Sequence, residues 1–233
     1  MKTSFNFYQL FPKIFLVEFH ENYDLAMTFL RAQEFYESVN PDFQGKSFTM
    51  SQYMSWYAKT QSATKTFSYS EDWRGFNVPS KVLDDCYTIN TERTPHDKLL
   101  IKIMQECNQK SDDQPYYLLG VRIGDLGTLD HEIAHGFYTT DPNYKEGIEK
   151  IIQDMNSKTK DNLLQGIHDM GYAPSVAYDE LQAFMATGLS KKLKPFVQDD
   201  EPEPFVDFFK KYKGDWLLPK PQLENHEVNL MTI

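Results

Sequence analysis

The motif His-Glu-x-x-His at positions 131–135 constrains this chain more than any other stretch of its sequence. Apolar spacing predicts a helix over residues 126–139. Residues four apart lie one turn above each other on the same helix face, so His131 and His135 can direct two imidazoles at one metal ion. Glu132 lies beside them, within reach of a water activated by that metal but not placed as a ligand. The alternative is two solvated histidines on an exposed helix.

A third ligand is expected downstream, because catalytic zinc usually has three protein ligands and one open position. Glu180 is the strongest candidate. The helix predicted over 175–189 surrounds it with small and apolar residues, and a partly buried carboxylate needs a partner. Two histidines and one glutamate suit Zn²⁺, so we expect one zinc per chain on His131, His135 and Glu180. The alternative for Glu180 is a surface ion pair with a lysine. The other downstream candidates are Glu146, Glu149, His168, Asp169 and Asp179.

The motif, followed by a helix with the sequence DELQA at 179–183, resembles the gluzincin branch of zinc metallopeptidases, in which a glutamate on a later helix is the third ligand. The 45 positions between His135 and Glu180 are similar to the spacing in the anthrax lethal-factor-like peptidases and their proline-specific bacterial relatives. Thermolysin-like enzymes place an aspartate where this chain has Phe184. The resemblance covers about residues 126–187. It implies a zincin-like, mostly helical α+β fold with a small mixed sheet beside the motif helix.

The resemblance also implies a catalytic tyrosine. Lethal-factor-like peptidases carry one shortly before the glutamate, where it steadies the transition state. Tyr172, eight positions before Glu180, is the best match. Tyr138, on the metal side of the motif helix, and Tyr178, turned away from the Glu180 face, remain alternatives.

Together these features predict a zinc-dependent endopeptidase that acts on a protein or peptide substrate. Glu132 would be the general base, and Tyr172 with the zinc would stabilise the oxyanion. A narrow-specificity effector or toxin protease would have this layout, and so would a housekeeping peptidase. The alternative is a metal-stabilised peptide- or protein-binding module without catalysis. The presence of Glu132 counts against that alternative, because structural zinc does not use a base.

Composition restricts the partners and the location. The formal net charge is −10, and no dense Lys/Arg cluster is present, so a nucleic-acid partner is not expected. No stretch approaches the roughly 18 apolar residues of a membrane span. The N-terminus also lacks the pattern of a cleaved signal peptide. We therefore expect a monomer with no membrane contact, either cytoplasmic or exported without a cleaved signal.

The chain length suits a single zincin-like domain with three parts. These are an N-terminal α/β substrate-side lobe at 1–94, a metal-binding helical core at 95–191, and a C-terminal helix with a loose tail at 192–233. Strands are predicted at 13–19 and 116–123, and the second could be internal or could pair with an extended peptide. The aromatic residues within 67–79 fill the core or line a peptide groove. Helices are predicted to start at Asn22 or Asp24, near Thr49, Thr94 and Asp141, and at Asp161 or Thr159.

Overall fold

The computed structural model describes residues 2–198, 200–216 and 224–232. In this part of the chain a five-stranded mixed sheet has the order β3-β4-β2-β1-β5. The central strands β2 and β4 are parallel, and every other neighbouring pair is antiparallel. The strands are β1 (Lys2–Phe11), β2 (Ile14–Phe19), β3 (Gly75–Pro79), β4 (Tyr117–Arg122) and β5 (Glu224–Asn229).

Helices cover both faces of this sheet. They are α1 (Asn22–Glu37), α2 (Met50–Thr60), α3 (Tyr69–Asp72), α4 (Ser80–Ile89), α5 (Pro95–Lys110), α6 (Leu126–Thr140), α7 (Pro142–Asp154), α8 (Ser157–Asp169), α9 (Ala177–Thr187) and α10 (Glu203–Trp216). Helices α2 and α5 begin after Thr49 and Thr94, as predicted, and both start with a capping box, which the sequence had indicated only at Thr49. None of the described helices has the length and apolar character needed to cross a membrane.

The alternation of side chains along β2 divides the interior into two apolar clusters. Phe15, Val17 and Phe19 point into the cluster beneath α1 and α5. Ile14 and Leu16, on the opposite face, point into the cluster beneath α6, α7 and α9. A strand buried on both faces reads as a continuous apolar run, which explains why this strand was visible in the sequence. The mixed α+β class is therefore the one predicted.

The other predicted strand, at 116–123, is also present as β4, but it is internal. It lies between β3 and β2, so the prediction that its edge could accept a peptide is wrong. Among the aromatic residues of 67–79, Tyr69 and Phe76 are fully buried, as a core role requires. Trp73 is 40% exposed and lines a cleft instead.

The prediction of a loose tail is wrong for residues 224–229. They form β5, which pairs antiparallel with β1. The strand was missed because its sequence, ENHEVN, is polar on both faces, as an edge strand can be. Residues 217–223 and 233 of that predicted tail lie outside the described residues.

Candidate metal centre

Helices α6 and α9 bring the three predicted ligands together. His131 Nε2 lies 3.6 Å from Glu180 Oε2, and His135 Nε2 lies 3.5 Å from Glu180 Oε1. One ligand atom from each of the three residues lies within 4.8 Å of the others. Two ligands bound to zinc at about 2.0–2.1 Å with tetrahedral angles are about 3.3–3.4 Å apart. The two histidine–glutamate spacings are therefore close to those expected around a single ion of this size.

Glu180 itself shows that a cation suits this position. The residue is only 4% exposed, and its Oε2 has no hydrogen-bond partner within the described part of the chain. A buried carboxylate oxygen without a partner costs free energy, which a bound cation would recover. The three residues offer two nitrogen donors and one oxygen donor, a set that matches the preferences of Zn²⁺.

Neighbouring side chains engage the Nδ1 atom of each histidine. Asp179 Oδ1 lies 2.8 Å from His135 Nδ1, and Thr187 Oγ1 lies 3.3 Å from His131 Nδ1. The Thr187 hydroxyl donates its proton to the carbonyl oxygen of Ala183 at 2.7 Å, so toward His131 it acts as an acceptor. Each Nδ1 therefore carries its proton, and Nε2 is the atom left to bind a metal.

The protonation of His135 depends strongly on these carboxylates. Burial lowers the pKa of His135, but Asp179 and Glu180 outweigh burial and raise the pKa well above its ordinary value of 6.5. When no metal is bound, these carboxylates therefore favour the protonated, imidazolium form of His135. A metal that binds to its Nε2 must displace that proton.

Glu132 is buried next to the ligands and held from the sheet. Asn77 Nδ2, on β3, donates to Glu132 Oε2 at 2.6 Å. The Tyr117 hydroxyl, on β4, donates to Asn77 Oδ1 at 2.5 Å, which turns the amide nitrogen toward the carboxylate. Burial raises the pKa of Glu132, and His131 with His135 act in the opposite direction. The carboxylate is therefore fixed in place and more basic than an exposed one.

The hydrogen bonds from Tyr117 through Asn77 to Glu132 have a counterpart that supports the ligand His135. The Tyr144 hydroxyl, on α7, donates to Gln182 Oε1 at 3.2 Å. Gln182 Nε2 then donates to Asp179 Oδ1 at 3.0 Å, and this oxygen also pairs with His135 Nδ1. Both series of hydrogen bonds run from a fully buried tyrosine through a side-chain amide to a carboxylate. One positions Glu132 and the other positions His135.

Gly75 permits the close approach of β3 to α6. A Cβ at this position would lie 2.1 Å from Glu132 Oε1 and 2.4 Å from Thr128 Cγ2. Any larger residue would push Glu132 away from the place where Asn77 holds it.

The centre opens into a cleft of about 490 Å³. Glu37 on α1 contributes a further carboxylate to the cleft wall. Burial, together with the nearby Glu180 carboxylate, raises the pKa of Glu37 well above its ordinary value. Gln33 Nε2 donates to Glu37 Oε2 at 2.8 Å. The cleft is lined by Gln33, Glu37, Trp73, Gly75, Asn77, Gly127, Thr128, His131, Glu132, Tyr172, Glu180, Phe184, Thr187, Gly188 and Leu189.

Among the candidate tyrosines, Tyr172 alone lines this cleft, and its ring packs edge-on against Phe184. Tyr138 instead donates to Glu149 on α7, and Tyr178 is 47% exposed. Phe184, the residue that departs from the thermolysin-like pattern, packs against the ring of His131.

The remaining candidate ligands lie outside the centre. Asp179 is next to it as the partner of His135, a role that the sequence analysis did not assign. Its position directly before Glu180 was the available signal. No local pattern pointed to Asn77, which comes from a strand distant in sequence. The exposed candidates are Glu146, Glu149, His168 and Asp169.

Comparison of the chain with protein-family models, curated proteins and solved structures finds no match. The function must therefore be argued from the chemistry of the centre itself.

Proposed function

We propose that this protein is a zinc-dependent endopeptidase with a zincin-like core, which hydrolyses peptide bonds in a protein or peptide substrate. The observation that carries the proposal is the convergence of His131, His135 and Glu180 beside a separately held Glu132. One Glu180 oxygen finds no hydrogen-bond partner among the residues that the structure describes. One Zn²⁺ on these three ligands would act as a Lewis acid and make water a better nucleophile at neutral pH.

Glu132 would move the protons of the reaction. With Oε2 held by Asn77, its carboxylate takes a proton from the attacking water and delivers it to the leaving amine. The raised pKa of Glu132 favours both transfers near neutral pH. Burial also raises the pKa of Tyr172, so its hydroxyl stays protonated and can donate to the oxyanion.

The edge of β3 supports a peptide as the substrate. This strand pairs with β4 on one side only, and it borders the cleft. The backbone N–H of Asn77 points outward and contacts Gln33 Oε1 at 3.4 Å. Since hydrogen bonding alternates along an antiparallel strand, Gly75 presents its backbone to the same side. An extended peptide could pair with this edge, replacing the long contact to Gln33 and crossing the metal centre.

The first test compares the native protein with Glu132→Gln after loading with zinc. Both are incubated with a library of peptides prepared by digesting a whole proteome, and new termini are identified by mass spectrometry. We expect both proteins to hold zinc and only the native protein to cleave. Glu146→Gln, an exposed glutamate on α7, is the matched control and should cleave like the native protein.

Cleavage of many sequences would indicate a general peptidase, and cleavage at one motif would indicate a narrow effector-type enzyme. If native protein with zinc at this centre cuts no peptide, and behaves like Glu132→Gln, the proposal is wrong and a binding module is favoured.

A second test uses the contact between β3 and Glu132. Gly75→Ala should still bind zinc, but displacing Glu132 by about 1 Å should lower kcat roughly 100-fold. Gly214→Ala, where an added methyl group meets no atom within 4 Å, is the control and should not change kcat. Equal rates for the two variants would show that the position of Glu132 is not important.

A further inference from the structure

A second group of possible ligands lies at the opposite edge of the sheet from β3. It consists of Glu106 on α5 with Glu224 and His226 on β5. His226 Nε2 lies 3.9 Å from Glu106 Oε2 and 3.8 Å from Glu224 Oε2. One ligand atom from each residue lies within 4.8 Å of the others. The three groups share no residue or helix with the first centre.

The ring of His226 is held in one orientation by aromatic neighbours. It stacks on Phe5 at 4.9 Å with an interplanar angle of 8°, and it meets the ring of Phe7 edge-on at 6.3 Å. Its Nε2 is shielded from solvent and has no hydrogen-bond partner in the described residues. The two nearest carboxylate oxygens are too distant to accept a hydrogen bond from it. The gap between these atoms is of the size that a metal ion would occupy.

Among the described residues, the ammonium group that contacts this cluster is that of Lys110, and it leaves the oxygens nearest His226 available. Lys110 Nζ bonds to Glu224 Oε1 at 2.7 Å, whereas Oε2 is the oxygen that approaches His226. Burial and the hydrogen bond to Glu224 raise the pKa of Glu106 to about 7, so a cation bound here would compete with the proton that the two carboxyl groups share. Imidazole nitrogen with carboxylate oxygens is a donor set suited to zinc and related divalent ions.

We propose that Glu106, Glu224 and His226 form a second divalent-metal site, of the zinc class, which fastens β5 to α5. Strand β5 lies at the edge of the sheet, and Val228 is its single apolar residue that packs against the core, so it has little apolar surface to hold it to the sheet. A metal bridging α5 and β5 would supply that attachment. This site would serve stability and not hydrolysis.

The test counts zinc sites in the full chain after treatment with a chelator. Zinc is titrated into native protein, His135→Ala, His226→Phe and the double variant, with binding followed by calorimetry. Phenylalanine keeps the stacking on Phe5. We expect two sites in the native protein, one in each single variant and none in the double variant. The affinity lost with His226 should exceed 100-fold, since even outer-shell contacts are worth about 10–100-fold.

Two further variants control for misfolding and for the loss of a histidine elsewhere on the protein. Glu106→Gln preserves shape and should weaken the same site, even if His226→Phe does not fold. His168→Phe, an exposed histidine on α8, should bind zinc like the native protein. Zinc should raise the melting temperature of His135→Ala but not that of the double variant.

A native chain that binds one zinc, lost with His135→Ala and unaffected by His226→Phe or Glu106→Gln, overturns this proposal. That outcome would leave the first centre intact, so the two proposals fail separately.

Discussion

Two buried charge clusters lie on opposite faces of the sheet, and they differ in how completely they are paired. On the α1 side, Arg31 is fully buried, and its guanidinium bonds both oxygens of Asp97 at 3.0 and 3.1 Å. It also bonds Glu92 at 2.7 Å and the carbonyl oxygen of Phe48 at 2.5 Å. On the α6 side, Glu180 is equally hidden from solvent but keeps an oxygen without a hydrogen-bond partner in the described residues.

The difference separates a structural cluster from a binding site. Burying a charge is costly on either face, and the Arg31 cluster offsets that cost with its own hydrogen bonds. The histidine–glutamate cluster offsets it only in part, and a bound cation would complete the pairing. A buried, incompletely paired group next to a cleft is therefore better evidence for a ligand than burial or charge alone.

The largest expected effect is on the structural cluster. Arg31→Met should lower the free energy of unfolding by about 3–5 kcal/mol, because it leaves the Asp97 carboxylate buried without its cationic partner. Urea denaturation measures the change. Lys81→Met, which removes an exposed ion pair with Asp85, is the control and should leave the midpoint unchanged. Similar losses for both variants would mean that the buried pairing is not what stabilises this face.

The metal centre should behave in the opposite way. In metal-free protein, Glu180→Gln should destabilise far less than Arg31→Met, because it removes a charge that is incompletely paired. Zinc at 100 times its dissociation constant for this centre should then stabilise the native protein by about 2.7 kcal/mol more than the variant. Thermal melts with and without zinc measure both quantities. An equal zinc effect on the two proteins would exclude Glu180 as a ligand.

A smaller effect is expected from the neighbours of the ligands. Asp179→Asn should weaken zinc binding about 10–100-fold, since it removes the carboxylate that orients His135. Thr187→Val should weaken zinc binding less, because the contact to His131 is uncharged and longer, at 3.3 Å. Competition with a coloured chelator gives both affinities. The reverse order would mean that His131, and not His135, is the ligand that depends on its support.

The parts of the metal centre differ in whether a local sequence pattern predicts them. His131, His135 and Glu180 were accessible because helical periodicity is local, and four-residue spacing determines which side chains share a face. The α+β class was what the family resemblance implied, and the apolar run of β2 predicted that strand. Asn77 was not accessible, because it reaches Glu132 across 55 positions and through a strand pairing that no local pattern specifies. Strand β5 was missed because its polar alternation lacks the apolar signal that identifies a buried strand.

The smallest expected effect is the release of a proton when zinc binds, and it reports directly on the charge of His135. Because the pKa of His135 is raised well above 6.5, the metal-free ring keeps its second proton at pH 7 and must lose it to the metal. The pairing with Asp179 and Glu180 stabilises the metal-free fold fully below the unfolded pKa, and this contribution is lost as pH rises through the raised pKa. Zinc binding should accordingly weaken as pH falls. Calorimetry at pH 7 in buffers of different ionisation enthalpy should show close to one proton released at this centre, and fewer in Asp179→Asn.

The Arg31 cluster offers no ligands to the zinc, so Arg31→Met is the control. Wherever this variant remains folded, it should release as many protons as the native protein. Native protein that releases no proton when zinc binds would mean that His135 is already neutral without metal, and the centre would then be less charged than its geometry indicates.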